Sequence, residues 1–119
     1  MAHSIVWFDI PVLDLDRATQ FYSLVMDMQM ERYGPEVPVA VMSHGPDDVA
    51  GCLFTSDDAK PSDHGPLLYF DVDGRIEEAT SMVEQLGGRI LEAIHDTPHG
   101  QRAIILDSEG NRICLHSES

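Results

Sequence analysis

The sequence predicts an α+β domain made of two βαβββ repeats, a curved mixed sheet around a central cleft with the helices on its outer face. Three observations predict it. The 119 residues, 43% of them hydrophobic, suit one compact domain or two small repeats sharing a core. A β-branched and aromatic run at residues 5–10 returns at 67–72, so that Phe8-Asp9-Ile10 and Phe70-Asp71-Val72 occupy equivalent places. Each run leads into a helix-period pattern and then three strand-like segments. The expected organisation is a single domain over 1–119, with repeat one at about 3–56, a linker at about 57–65 and repeat two at about 66–117.

The elements follow in order. The first strand is closed by Pro11, and alternation puts Val6, Phe8 and Ile10 on one face and Ile5, Trp7 and Asp9 on the other. Asp14 is an N-cap candidate for a helix whose apolar residues are Leu15, Ala18, Phe21, Tyr22 and Val25. Its acidic first turn suits the helix dipole. Strands are expected at 28–33, 37–42 and 51–55, with turns at Gly34-Pro35 and Gly45-Pro46-Asp47-Asp48. After the turn-rich linker the pattern restarts. Asp73 is the next N-cap candidate, Ile76, Ala79, Val83 and Leu86 recur at helical spacing, and Gly87-Gly88 ends the helix. Strands at 89–94, 102–106 and 111–116 complete the repeat, the last two joined by a hairpin turn at Asp107-Ser108-Glu109-Gly110-Asn111.

A βαβββ unit covers one sheet face with its helix and leaves the other open. By alternation the open faces carry Trp7, Asp9, Leu67, Tyr69, Asp71, Arg112, Cys114 and His116. Val6, Phe8, Ile10, Leu68, Phe70, Val72, Ile113 and Leu115 are expected under the helices.

Composition excludes several partners. The 21 acidic residues outweigh 7 basic ones, the formal charge is −14, and Lys60 is the only lysine. Such a chain repels nucleic acid and anionic membrane surfaces. No apolar run approaches the roughly 18 residues of a spanning helix, and the N-terminus lacks a basic-then-apolar signal pattern. Cys52 and Cys114 do not read as a disulfide framework. The cytoplasm is the expected location.

Six histidines invite a metal reading. His95 and His99 are four apart, but Thr97-Pro98 between them breaks a helix, so they read as surface residues of a hairpin. His44 and His64 sit in Gly/Pro turns, and His3 lies in a terminal segment. His116 shares a face with Cys114. Asp9, Asp71 and His116 would make a two-carboxylate, one-imidazole set; the competing reading is a strand-end histidine and carboxylates paired with Arg17 or Arg112. Cys114 as a nucleophile needs a base, yet His116 and Arg112 lie about 6.5–7 Å along the strand, too far for direct proton transfer. A buried structural thiol is the alternative. Trp7 and Tyr69 serve either as flat ligand walls or as core.

Phe8-Asp9-Ile10-Pro11-Val12, Asp14-Leu15-Asp16-Arg17-Ala18 with Phe21-Tyr22, Gly87-Gly88, and Asp107 to Ile113 together resemble the vicinal oxygen chelate superfamily of glyoxalases, bleomycin-resistance proteins and extradiol dioxygenases. The resemblance spans nearly the whole chain and implies the paired βαβββ plan and a homodimer. Metal-dependent members take four His or Glu ligands from the first and last strands of each half. Carried over by register, those positions fall on Trp7, Leu67, Cys114 and near Cys52, none of them His or Glu. The resemblance therefore implies a small-molecule-binding protein without the usual divalent metal, and no cofactor is expected. The cleft residues are Trp7, Asp9, Tyr69, Asp71, Cys114 and His116, and an acidic cleft would favour a cationic or hydrogen-bond-donating ligand. The competing expectation is a lyase, isomerase or dioxygenase-like enzyme with relocated site residues.

Overall fold

A computed structural model describes residues 5–33, 36, 38–46 and 48–118. His3, Gly34, Pro35, Val37 and Asp47, singled out in the sequence, lie outside the described residues. The first half runs β1 (Trp7–Pro11), α1 (Leu15–Val25), β2 (Met30–Arg32), β3 (Val39–Met42) and β4 (Ala50–Phe54). The second runs β5 (Leu68–Asp71), α2 (Ile76–Val83, continued by a 3-10 turn at Glu84–Leu86), β6 (Arg89–Thr97), β7 (Gly100–Leu106) and β8 (Arg112–Ser117). Each half is a four-stranded mixed sheet, in the orders β1-β4-β3-β2 and β5-β8-β7-β6. In both, the first strand pairs in parallel with the last, a connection that needs the intervening chain to cross over, while the remaining pairs are antiparallel.

Local chemistry explains the elements. Asp14 caps α1, its carboxylate accepting from the Arg17 N–H at 3.0 Å. Ala18, Phe21, Tyr22 and Val25 are buried, as the helical period requires. Gly87 ends the second helix with φ +95°, a conformation that costs glycine nothing. A Cβ at Gly51 would stand 2.5 Å from the Phe8 ring, so this glycine lets the ring lie against β4.

Four expectations need correction. Asp73 does not cap α2: Arg75 occupies that position without a side-chain cap, and the Asp73 carboxylate accepts from the Ser117 hydroxyl and the Glu118 N–H instead. Val6 is 70% exposed rather than under a helix, because β1 begins only at Trp7. The second strand covers 30–32, not 28–33, because α1 ends in a turn with Asp27 at φ +51° and the Met28 N–H bonded to Ser23 O. The β6 strand is longer than expected and absorbs two register shifts.

One core joins the halves. It takes Ile10, Phe21, Tyr22 and Leu53 from the first and Phe70, Val72, Ile105 and Leu115 from the second. Phe8 and Tyr22 both pack against Phe70, at ring separations of 5.9 and 5.7 Å. The polar fastening is the β7–β8 turn. Glu109, its side chain wholly buried, accepts from the Leu13 and Asp14 N–H groups at 2.9 and 2.8 Å and from the Arg17 guanidinium at 2.7 and 2.9 Å. Asp107 accepts from the buried Tyr22 hydroxyl at 2.6 Å and from the Glu109 and Asn111 N–H groups, and the Asn111 amide donates to Pro11 O.

Burial alone would raise the Glu109 pKa. The hydrogen bonds from Arg17, Asp14, Ser108 and Leu13 outweigh it and hold the carboxyl at about 2, against an ordinary value of 4.5. The folded value lies below the unfolded one. The contribution is therefore complete above the unfolded pKa and is lost as the pH falls from 4.5 towards 2. Glu109→Gln should lose about 3 kcal/mol at neutral pH. Urea midpoints measured from neutral to acid should show the wild-type advantage shrinking through that window; parallel curves would contradict the assignment.

Candidate functional site

The open face of each sheet is set by register. On the first, Trp7 and Asp9 of β1 lie beside Ala50 and Cys52 of β4, with Val41 across from Cys52. The Asp9 carboxylate accepts from the Trp7 indole N–H at 2.9 Å and from the Cys52 thiol at 3.2 Å. Its local acceptor work is with these neighbours, not with an arginine. Burial, then the hydrogen bond to Asp9, pushes the Cys52 thiol up to about 11.

On the second sheet, Tyr69 lies beside Cys114, and Asp71, His116, Arg102 and His95 form one row across four strands. The Arg102 guanidinium donates from Nη1 to the Tyr69 hydroxyl oxygen at 2.5 Å and from Nε to His95 Nε2 at 3.1 Å. His95 Nδ1 lies 2.8 Å from Ala93 O, which assigns the ring proton to Nδ1 and leaves Nε2 free to accept from Arg102. His116 Nε2 bonds His99 O at 3.0 Å. Arg102 and His95 were not singled out as a pair by sequence reasoning, since only the β6–β7 register brings them together.

The structure separates some candidates. Asp9 and Asp71 do not pair with Arg17 or Arg112: Arg17 binds Glu109, Arg112 donates to Gly65 O, and Asp71 accepts from the Asp73 N–H. Asp9 sits on one sheet while Asp71 and His116 sit on the other. Among the described residues no group of three or more His, Cys, Asp or Glu side chains is placed to hold a metal ion. Cys114 has the open-face register but is buried, and Leu67 precedes β5. Trp7 and Tyr69 remain 42% and 53% exposed, so neither fills the core.

Two cavities adjoin these faces. One, of about 610 Å³, opens where the halves meet and is lined by Ile5, Phe8, Met28, Met42, Leu68 and Tyr69, among others. The other, of about 410 Å³, lies over the second open face and is lined by Tyr69, His95, Thr97, His99, Arg102 and His116, among others. Tyr69 borders both. Met28 and Met42 had no signal in the sequence beyond being apolar. The second open face is mixed in charge, carrying Arg89, Arg102 and Arg112 together with Asp71 and Glu92.

The chemistry at the four family metal positions can be judged directly. An indole and an isobutyl group offer no lone pair for a cation. Cys52 and Cys114 both have pKa values raised to about 11, the latter by burial, against the opposing pull of Arg102. A thiol must lose its proton to ligate, so the raised values weaken ligation at neutral pH, and the two thiols lie on different sheets, with an indole and an isobutyl group at the other two positions. Both thiols should alkylate with iodoacetamide about 100-fold more slowly than a thiol at the ordinary value of 9. Peptide mass spectrometry should show both labelled promptly only in urea; rapid labelling of Cys114 in the folded protein would contradict the burial argument.

A glyoxalase/bleomycin resistance protein/dioxygenase superfamily model matches residues 4–115. No curated protein matches the chain. Among solved structures, a glyoxalase/bleomycin resistance protein from Albidiferax ferrireducens T118 is 17% identical with a TM-score of 0.78, the match covering 98% of this chain and 100% of that one. A family enzyme from Burkholderia phytofirmans PsJN is 18% identical, TM-score 0.76, over 95% and 97% of the two chains. A fosfomycin resistance protein from Listeria monocytogenes is 14% identical, TM-score 0.73, over 100% and 96%. At these identities the structures speak to the fold. On the family-model match, the chain belongs to the glyoxalase/bleomycin resistance protein/dioxygenase superfamily.

Proposed function

We propose that the protein binds a small organic molecule in the apolar cavity at the junction of its halves, without the divalent ion of the family's metal-dependent members. The cavity carries the reading. Its volume of about 610 Å³ lies in the range of small-molecule sites, and its walls are mainly Phe8, Met28, Met42, Leu68 and Phe70. The two methionines give it an adaptable lining, and Asp71 and Ser43 supply polar atoms at its edge. The donor chemistry at Trp7, Leu67, Cys52 and Cys114 supports a reading without the ion.

A homodimer belongs to the same proposal. Ile5, Val6, Trp7, Val49 and Tyr69 are exposed together around β1 and the cavity mouth, and a second copy covering them would close it. Light scattering should then give twice the chain mass of 13.2 kDa; a monomer at all concentrations would remove the dimer.

Two measurements test the pocket. The neutral dye N-phenyl-1-naphthylamine should bind about one per chain with enhanced fluorescence, and Met28→Trp, which fills the cavity, should weaken it about tenfold or more. Equal binding by that variant would place the dye elsewhere and remove the pocket reading. Metal analysis of untagged protein should find no ion near one per chain; a stoichiometric transition metal would overturn the metal-free reading.

A further inference from the structure

The sequence is strongly acidic, yet one surface of the fold is not. Cross-strand register lines up Arg112, Leu106 and Arg89 in one row of the second open face, and His116, Arg102 and His95 in another. Three of the chain's 7 basic residues thus share one side of one sheet. Acidic groups share this face: Asp71 stands in the row of His116, and Glu92 in the row between the two, across from Ile104. Asp71 accepts from the Asp73 N–H, Glu92 lies 3.9 Å from His95, and Asp96 sits exposed at the cavity rim. None of them forms an ion pair with Arg102 among the described residues.

The hydrogen-bonding inventory of the Tyr69–Arg102–His95 row is one-sided. Arg102 Nε donates to His95 and Nη1 to Tyr69. That leaves the Nη2 hydrogens of Arg102 and the hydroxyl proton of Tyr69 without an acceptor among the described residues. Tyr69 accepts from Arg102, so its own proton is free to turn outward. The open positions of Arg102 and Tyr69 are donors backed by the guanidinium charge, with Glu92 on the far side of the His95 contact. Their complement is a group with acceptors only and negative charge, which is an oxyanion. His95 is a positioning residue: its Nδ1–H is held by Ala93 O, so its Nε2 fixes the plane of the guanidinium.

Tyr69 lines both the apolar cavity and the one beside Arg102. We propose that Arg102 and Tyr69 bind the carboxylate of a small organic acid whose apolar body occupies the neighbouring cavity. The inference rests on the pocket reading above and adds to it the class of ligand. The occupant is an amphipathic anion, the opposite of what the net charge of the chain suggests.

The test compares three probes of one shape by NMR titration of the ¹⁵N-labelled protein: 3-phenylpropionate, its neutral amide, and 3-phenylpropylamine. The acid should bind about tenfold or more tightly than the amide and shift the Arg102 Nε–H resonance, with the amine weakest. Arg102→Gln should bring the acid to the level of the amide, and Tyr69→Phe should cut the preference severalfold. Arg102→Lys, which keeps the charge but loses the fork, should also lose most of it, and serves if the glutamine variant does not fold. Equal binding of acid and amide to the wild type overturns this inference while leaving the pocket intact. So does a preference for the acid that survives in both Arg102 variants. Failure of all three probes to bind overturns the pocket reading together with it.

Discussion

Glu109 is a carboxylate with no exposed surface, held ionised by donors from a segment more than ninety residues earlier in the chain. Taking such a charge out of water is tolerable only when its oxygens are saturated, and here the Leu13 and Asp14 N–H groups, the Arg17 guanidinium and the Ser108 hydroxyl do so. The consequence is positional. The β7–β8 turn of the second half becomes the platform on which α1 of the first half begins. Asp107 reinforces it by accepting from Tyr22, one helical turn further into the core. With α1 fixed on both halves, Phe8 and Tyr22 meet Phe70, and the gap left beside that aromatic contact is the apolar cavity.

The same partition of surfaces explains the chemistry. Each helix covers one face of its sheet, so the other face is free to carry groups that the core could not accept. On the first sheet those groups are Trp7 and Asp9, which satisfy each other. On the second, arginines and histidines stand beside Asp71 and Glu92. A formal charge of −14 is a sum over the surface, and it hides a face where three arginines and two histidines stand together. Local potential in a cleft follows the groups lining it more than the total.

Much of the fold was legible in the sequence because its signals are local and repeated. The pair Phe8-Asp9-Ile10 and Phe70-Asp71-Val72 announced two halves, Asp14 announced the helix it caps, and alternation put Tyr69, Asp71 and His116 on one face. Less of the candidate site was legible, because it depends on register. Arg102 meets His95 and Tyr69 only once β6, β7, β8 and β5 are aligned, and a bulged β6 defeats simple counting. Asp73 and Glu109 look alike in the sequence, as acids near turns. Their partners, Ser117 and Arg17, lie far along the chain and could not be read from neighbours. Cys114 had the right face but not the exposure, since alternation fixes direction and not cover.

In the proposed reading the pocket needs no metal ion, and ligand-linked stability can reveal one. An ion bound only to the folded state at 100 times its dissociation constant adds about 2.7 kcal/mol, enough to raise the melting temperature of a domain this size by several degrees. Melting curves of the untagged protein with EDTA and with excess Mn²⁺, Ni²⁺ or Zn²⁺ should therefore coincide. A rise of several degrees with one of these ions, reversed by EDTA, would overturn the metal-free reading.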